Sequence, residues 1–354
     1  MLHFGISHFI RTFTPSKTSS RKMNFYNREE AKQRMNDLAE QAVPFLFIID
    51  YEAKRAVVEP ESEVDANELK YCFNGIGNAT QTSHPTNKDI EWRIEPPTEA
   101  EYQHSFNIVR NAMLAGNSYL ANLTCRVGLQ TNLSLLDLYH AANARYRLWM
   151  KDKLVCFSPE TFVKISQGEI HSFPMKGTAE DVSPLSAEQL LANEKEAAEH
   201  ATIVDLIRND LSMVASNVRV ERYRYVERLN THRGPLLQTS SEIKGQLMPH
   251  LMQRPGDVIF SQLPAGSITG APKKKTVEII TEAENYHRDF YTGVMGRWDN
   301  GELDSAVMIR FIDQHDGKLY FKAGGGITAK SNWKDEYHEV IEKVYAPICR
   351  NHQD

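Results

Sequence analysis

The sequence predicts an α+β protein in which antiparallel sheets are decorated with helices. Several short segments alternate apolar and polar residues, as half-buried strands do. The connectors between these segments are short, whereas parallel strands need long crossover connections. The strand-like segments lie at 118–129, 154–159, 162–170, 241–247, 290–298, 305–313 and 318–327.

The chain divides into three predicted regions. Residues 1–22 contain no acid and many basic and hydroxyl residues, which is typical of an organellar transit peptide, but Met23 begins a more ordinary sequence. We therefore expect a mis-started or disordered extension rather than a targeting segment. Residues 23–97 predict a short helix, a strand at 44–50 and a polar connector, which together form a small N-terminal layer. Residues 98–347 form the main domain.

Composition and charge indicate a globular protein and exclude several classes of partner. The chain has 354 residues, 41% hydrophobic and 25% charged, which is enough for a large core. Its formal net charge is -5 and it has no dense Lys/Arg run, so a nucleic-acid partner is not expected. No apolar stretch reaches the length of a membrane span. The four cysteines lie far apart without a CxxC pair, which argues against a disulfide framework or a zinc site and favours the cytoplasm.

Two helices are predicted from capping patterns. Thr98 and Glu101 form a capping box before a helical apolar stripe that ends at Gly116. A second helix is predicted to begin at the Ser186-x-x-Gln189 pattern and to run to about Asp210. One face is expected to hold Leu190, Ala197, Ala198, Ala201 and Val204, and the opposite face Glu196, Glu199, Ile203, Leu206 and Ile207.

Two pairs of carboxylates are candidates for metal binding. Because the C-terminal half of the second helix is apolar nearly all round, Glu196 and Glu199 are expected to be buried and to need a cation. Glu336 and Glu339 flank a second apolar stripe near the end of the chain. Such pairs on two helices supply the oxygen ligands that Mg²⁺ prefers. Salt bridges, to Arg208 for example, and a solvated helix face are the alternatives.

Lys176 is a candidate nucleophile. It lies in the string PMKGT (174–178), where the flanking Pro and Gly-Thr predict a loop at a strand end. A low-dielectric surround would lower the pKa of its amine and make it nucleophilic. A solvated surface lysine is the alternative.

Glycine-rich strings offer a candidate anion site. The strings at 263–275 and 323–327 are predicted to form turns whose backbone amides bind carboxylates, and neither matches a phosphate-binding fingerprint. Ordinary tight turns are the alternative. Arg310, on a strand-like run, would be an awkward buried charge unless it meets an anion.

Together these strings resemble a known family. FSPETF, PMKGT, EKEAAEHATIVDLIRND, SITGAPK, FYTGVMG, VMIRF and AGGGITAKSNWKDEYHE occur in the order and approximate spacing of the chorismate-utilising enzymes, over residues 98–347. The resemblance implies the fold of that family, with large antiparallel sheets packed together and flanked by helices. Within the family, a lysine at the PMKGT position resembles the aminodeoxychorismate synthases, whereas anthranilate synthases carry a small residue there.

The resemblance also implies roles for individual residues. Lys176 would be the nucleophile and Glu160 the general acid in the amination of chorismate at C4. Mg²⁺ would be held by Glu196, Glu199, Glu336 and Glu339. The groups implied to bind substrate are Gly177, Thr178, Thr269, Tyr291, Arg310, Gly324, Gly325 and Gly326.

One departure from the family pattern and one missing motif bear on the expected reaction. Gln238 stands where many family members have a histidine that is associated with later steps at the pyruvyl side, which disfavours anthranilate formation. The chain also has no G-x-C-x-G nucleophile elbow, so ammonia is expected from a separate glutamine amidotransferase subunit. Component I of anthranilate synthase and a non-catalytic chorismate-binding subunit remain the alternatives.

Overall fold

The computed structural model describes residues 23–79, 89–183, 185–231 and 234–348. The predicted extension at 1–22 lies outside these residues, as does part of the predicted connector. The described helices are α1 (Arg28–Glu40), α2 (Glu99–Leu114), α3 (Leu135–Ala141), α4 (Ser186–Ala192), α5 (Glu194–Ser212), α6 (Pro255–Gln262), α7 (Lys273–Ala283) and α8 (Trp333–Glu342). None of them is long and apolar enough to cross a membrane.

The strands form two large sheets. In chain order they are β1 (Phe45–Ile49), β2 (Ala56–Pro60), β3 (Leu69–Phe73), β4 (Ile76–Gly77), β5 (Trp92–Glu95), β6 (Leu120–Thr131), β7 (Tyr146–Met150), β8 (Leu154–Ser158), β9 (Thr161–Ser166), β10 (Glu169–Ser172), β11 (Met175–Glu180), β12 (Ala215–Thr231), β13 (Gly234–Leu247), β14 (Gly270–Ala271), β15 (Val294–Asp299), β16 (Glu302–Val307), β17 (Phe311–His315) and β18 (Lys318–Ile327).

Every described strand pairing is antiparallel, as the short connectors predicted. The first sheet has the order β11-β13-β10-β9-β16-β15-β1-β2, with β12 pairing to β13. The second has the order β14-β6-β18-β17-β8-β7-β3-β4, with β5 pairing to β6. The prediction of large antiparallel sheets flanked by helices is confirmed.

The two sheets pack against each other, and helices cover their outer faces. Leu46 and Ile48 of β1 share one core with Tyr71 of β3 and Leu148 of β7, so this core lies between the sheets. Their neighbours on the same strand, such as Phe47, turn to a second core with residues of α1, α5 and α6. A third core joins the second sheet to α2, α3, α7 and α8. Strands buried on both faces read as continuous apolar runs, as β1 does.

The N-terminal strands belong to these same two sheets. β1 pairs with β15, and β3 pairs with β7. Residues 23–97, for which the sequence suggested a layer of their own, therefore supply strands to the sheets that carry the rest of the chain. The capping box predicted at Thr98 and Glu101 forms on α2, and α1 has a second capping box at Asn27 and Glu30.

The predicted helix from Ser186 to Asp210 is two helices, so that prediction is wrong in detail. The Ser186-x-x-Gln189 pattern forms no capping box. The chain breaks at Asn193, whose side chain accepts a hydrogen bond from the backbone N–H of Glu196 (3.1 Å) and caps α5. The buried face of α5 carries Ile203, Val204, Ile207 and Leu211, whereas the expected core residues Ala198 and Ala201 are exposed.

Two further expectations are wrong in local structure. Residues 323–327 are not a turn but the last part of β18, paired with β6. Arg310 does not lie on a strand, because β16 ends at Val307 and β17 begins at Phe311. Its backbone φ is +54°, in the left-handed region, so the chain turns at this residue.

Candidate active site

The candidate site lies where an edge of the first sheet meets the second. β11, which carries Lys176, is an edge strand of the first sheet. β18 carries Gly326 in the second. A methyl group added at Gly326 would lie 3.8 Å from Lys176 Nζ and 3.6 Å from Leu120 Cδ1. A larger side chain here would therefore fill the space in front of the amine.

A bulge in β11 presents Lys176. The pairing of β11 with β13 shifts register between Met175 and Thr178, and Gly177 within the bulge has φ +83°. Any other residue would be strained in this conformation. A Cβ at Gly177 would also lie 3.2 Å from Glu196 Oε2. The Pro-x-Lys-Gly string thus marks an irregular strand rather than the loop that the sequence predicted.

Lys176 is surrounded by carboxylates. Its Nζ lies 2.7 Å from Glu199 Oε2, and these side chains are 27% and 10% exposed. Burial alone lowers the pKa of Lys176, but Glu199, Glu196 and Glu339 outweigh it, and the net effect raises the pKa. The expectation that the surroundings lower this pKa is therefore wrong: the fold favours the ammonium form, and catalysis by the amine requires that this balance change.

The four predicted metal ligands converge from two helices. Glu196 and Glu199 reach Lys176 from α5, and Glu339 reaches it electrostatically from α8. A Cβ at Gly325 would lie 3.6 Å from Glu336 Oε2 and 3.9 Å from Glu339 Oε1. Both glutamates of α8 therefore border the same space against β18.

The chemistry of this donor set suits a magnesium ion, although no three of its described carboxylates offer oxygens that all lie within 4.8 Å of one another. Glu196 Oε2 is buried and has no hydrogen-bond partner in the described residues, a costly state that a cation would relieve. Glu336 is only 4% exposed. All the candidate ligands are carboxylate oxygens, which suit Mg²⁺ better than a softer metal.

Glu160 lies beside the same site. Its carboxylate accepts a hydrogen bond from Ser267 Oγ (3.2 Å). Burial raises the pKa of Glu160, and Ser267, Arg310 and Lys176 oppose this shift without reversing it. The shift is towards the protonated form, which is the form a general acid needs.

Arg310 is close to the predicted acid and to Tyr291. It acts electrostatically on both. Its guanidinium lies over the ring of Tyr345, 5.3 Å from the centroid. Tyr291 is 4% exposed, and burial raises the pKa of its hydroxyl, which stays protonated and able to donate. The structure thus places Arg310 and Tyr291 near each other, and their binding of substrate stays a prediction.

The other residues that the resemblance implied to bind substrate lie in different surroundings. Thr269 is fully buried, and its carbonyl accepts a hydrogen bond from the N–H of Asn122 (2.9 Å). Gly324 packs so closely on β6 that a Cβ would lie 2.5 Å from Thr124 Cγ2. The backbone of Thr178 pairs with Gln238, the residue at the usual histidine position, but the side chain of Thr178 lies outside the described residues.

Sequence reasoning missed three residues near the site. Ser267 binds the carboxylate of Glu160, Tyr345 packs on Arg310, and Lys343 Nζ lies 2.6 Å from Glu339 Oε1. Only the last had a sequence signal, because Glu339 and Lys343 are spaced i,i+4 at the end of a helix. The other two contacts join segments far apart in the chain.

Comparison with known proteins identifies the family of the chain. A family model described as chorismate binding enzyme matches residues 22–348. An uncharacterized PabA-like protein of Haemophilus influenzae is 46% identical over 316 residues, covering 89% of this chain and 96% of its own length. Aminodeoxychorismate synthase component 1 of Klebsiella aerogenes is 33% identical, covering 72% of this chain and 58% of its own.

Other members of the same group are about equally similar. Anthranilate synthase component 1 of Arthrobacter globiformis is 31% identical, covering 72% of this chain and 50% of its own. A crystal structure of a 2,3-dihydroxybenzoate-specific isochorismate synthase, DhbC from Bacillus anthracis, superposes with a TM-score of 0.71 at 19% identity, covering 91% of this chain and 89% of its own. That likeness concerns the fold alone.

Proposed function

Because the chain belongs to the family of chorismate binding enzymes, we propose that it aminates chorismate at C4 to give 4-amino-4-deoxychorismate, as component I of an aminodeoxychorismate synthase. The observation that carries this proposal is the place of Lys176. Its amine faces Gly326 and the carboxylates of two helices, and it acts electrostatically on Glu160. A lysine here fits a covalent route, in which it attacks the ring before ammonia does.

The steps of that route use residues of this chain. Lys176, as the free amine, forms a bond to C2 while the two ring double bonds shift, from C1=C2 to C1=C6 and from C5=C6 to C4=C5, and the C4–O bond breaks. Glu160 donates its proton to the departing hydroxyl, which leaves as water. Ammonia then bonds to C4, the C2–N bond to Lys176 breaks, and the new amine returns a proton to Glu160. Chorismate and ammonia thus become 4-amino-4-deoxychorismate and water.

The other groups of the site bind and orient. Mg²⁺, held by Glu196, Glu199, Glu336 and Glu339, would supply the positive charge that fixes the ring carboxylate. Arg310 and Tyr291 would hold the enolpyruvyl carboxylate with the amides at the end of β18. Ammonia would come from a separate glutamine amidotransferase subunit. The unpaired spacing of the cysteines favours the cytoplasm as the compartment of the reaction.

The test is product identification. Purified protein is incubated with chorismate, Mg²⁺ and ammonium at alkaline pH, and the product is identified by chromatography and mass spectrometry. We expect 4-amino-4-deoxychorismate. Formation of anthranilate would instead identify this chain as an anthranilate synthase component. The similarity to anthranilate synthase component 1 of Arthrobacter globiformis is the reason to test this alternative. Metal-dependent binding of chorismate without turnover would indicate a non-catalytic subunit.

A second arm tests the partner. The chain alone is expected to use ammonium but not glutamine, and addition of a glutaminase subunit from the same source should restore glutamine use. Robust glutamine-dependent turnover by the lone chain would contradict the need for a partner.

A further inference from the structure

We propose that His200 and Ser241 form a positioning pair that fixes the place of Lys176. The proposal rests on the function proposed above. Neither residue belongs to the proposed catalytic or metal-binding set.

Ser241 is a junction between three elements. Its hydroxyl oxygen lies 2.6 Å from His200 Nε2 on α5 and accepts a hydrogen bond from the backbone N–H of Arg224 on β12 (2.9 Å). Its own N–H donates to the carbonyl of Pro174 (3.0 Å), two residues before Lys176. Ser241 is fully buried. The side chain of Ser241 on β13 therefore connects α5 to β12, and its backbone N–H connects the same residue to the start of the strand that carries Lys176.

His200 acts through other residues rather than on substrate. It is 1% exposed, and its ring meets the ring of Tyr223 edge-on, with centroids 5.8 Å apart. It directly follows Glu199, the residue that pairs with Lys176. The contact between His200 and Ser241 therefore holds the turn of α5 that bears this carboxylate at a fixed distance from β13.

The bulge in β11 explains why such a pair is needed. Within the described part of the chain, β11 is an edge strand that pairs with β13 alone, its register shifts between Met175 and Thr178, and Gly177 adds backbone freedom there. Two contacts hold α5 to this region from opposite ends of Lys176: the ion pair of Lys176 with Glu199, and the bond of His200 to Ser241, which is itself bound to Pro174. Loss of the second contact leaves α5, with the carboxylate of Glu199, free to shift relative to the bulge that carries Lys176.

The experiment compares His200→Leu, His200→Gln and Ser241→Ala in the full chain with ammonium as the nitrogen source. Leucine fills the space without a hydrogen bond, whereas the glutamine amide can reach the position of Nε2. We expect kcat to fall roughly 10- to 100-fold in His200→Leu and Ser241→Ala with the chorismate KM within about threefold, the effect of a misplaced reacting group. His200→Gln should recover most of the loss, and the double variant should be no worse than the poorer single one.

A second readout does not depend on turnover. The rate at which trinitrobenzenesulfonate labels Lys176 is measured by peptide mass spectrometry, with exposed Lys334 as the reference. Labelling of Lys176 relative to Lys334 should change at least about threefold in His200→Leu and Ser241→Ala and stay near wild type in His200→Gln, because only the former lose the contact that places the amine. Should His200→Leu fail to fold, Ser241→Ala carries both measurements.

Three results would overturn the proposal: unchanged kcat with unchanged labelling, equal damage from glutamine and leucine, or additive losses in the double variant. If the wild-type protein makes no 4-amino-4-deoxychorismate, the proposed function fails, and the labelling ratio still decides whether His200 and Ser241 place the lysine.

Discussion

The two glutamate helices carry the same i,i+3 spacing but lie in different surroundings. On α5, Glu199 is 10% exposed and its counter-ion, Lys176, comes from a strand of the first sheet. On α8, Glu339 is 47% exposed and its counter-ion, Lys343, is the C-cap residue of the same helix, four residues further along the chain. The charge balance of α5 therefore depends on tertiary structure, whereas that of α8 is partly local. Changes on the α5 side should be the more damaging.

The largest effect is expected at the lysine of the α5 side. Lys176→Ala should reduce formation of 4-amino-4-deoxychorismate at least about 1,000-fold, because it removes the attacking amine. Lys176→Arg should be no better, because a guanidinium stays protonated at any working pH. Turnover is measured beside a search for a chorismate-derived mass adduct on the peptide containing Lys176 when ammonia is withheld.

Exposed Lys334→Ala serves as the matched control and should behave as wild type. Near-normal rates with arginine at position 176 would reduce Lys176 to a positioning charge and favour direct attack by ammonia.

A direct comparison of the helices comes next in size. Glu199→Gln and Glu339→Gln each remove one candidate metal ligand with little change in shape. Both should weaken Mg²⁺ binding, by roughly 100-fold for Glu199 and 10-fold for Glu339, because a sheltered carboxylate is less screened by water. Calorimetric titration with Mg²⁺ in the absence of chorismate gives the two affinities. Equal losses, or a larger loss at Glu339, would contradict the contrast drawn between the helices.

The smallest expected effect is on stability. Burial, with Arg224 and Lys176 nearby, lowers the pKa of His200 to about 4. The unfolded chain binds this proton more readily, so the stability from neutral His200 is present above about pH 6.5 and is lost as pH falls towards 4. The loss is on the order of 3 kcal/mol at most. Urea unfolding at several pH values measures it.

His200→Gln should flatten that pH dependence over this range, whereas the same change at exposed His338 on α8 should leave it as in wild type. An identical pH dependence in His200→Gln would show that other groups cause it.

The sequence predicted what local patterns can encode. Alternation and short connectors predicted the antiparallel sheets, and helical spacing placed Glu196 with Glu199 on one face. The motif resemblance brought Lys176 and Glu160 to one site, although 15 residues, with two complete strands, separate them. The direction of the pKa shift of Lys176 could not be predicted, because it depends on carboxylates that two distant helices bring to the amine.

Other features depend on contacts between distant segments. Nothing in the local sequence indicates that Ser241 meets His200, 41 residues away. The turn at Arg310 was also hidden, because VMIRF is an apolar, strand-like run, whereas the backbone of Arg310 adopts a left-handed φ. The break at Asn193 had a signal, since Asn is a common N-cap, but the competing pattern at Ser186 concealed it.

The pairing of β1 with β15 has a consequence for how the chain is made. Phe45 pairs with Trp298, so about 250 residues must follow β1 out of the ribosome before its partner arrives. At about 5–20 residues per second, this takes roughly 12 to 50 seconds. During that time the apolar strand FLFII has no β15 to pair with. The nascent chain therefore exposes an unpaired, aggregation-prone strand edge during most of its synthesis. A chaperone that shields this edge should raise the yield of native protein.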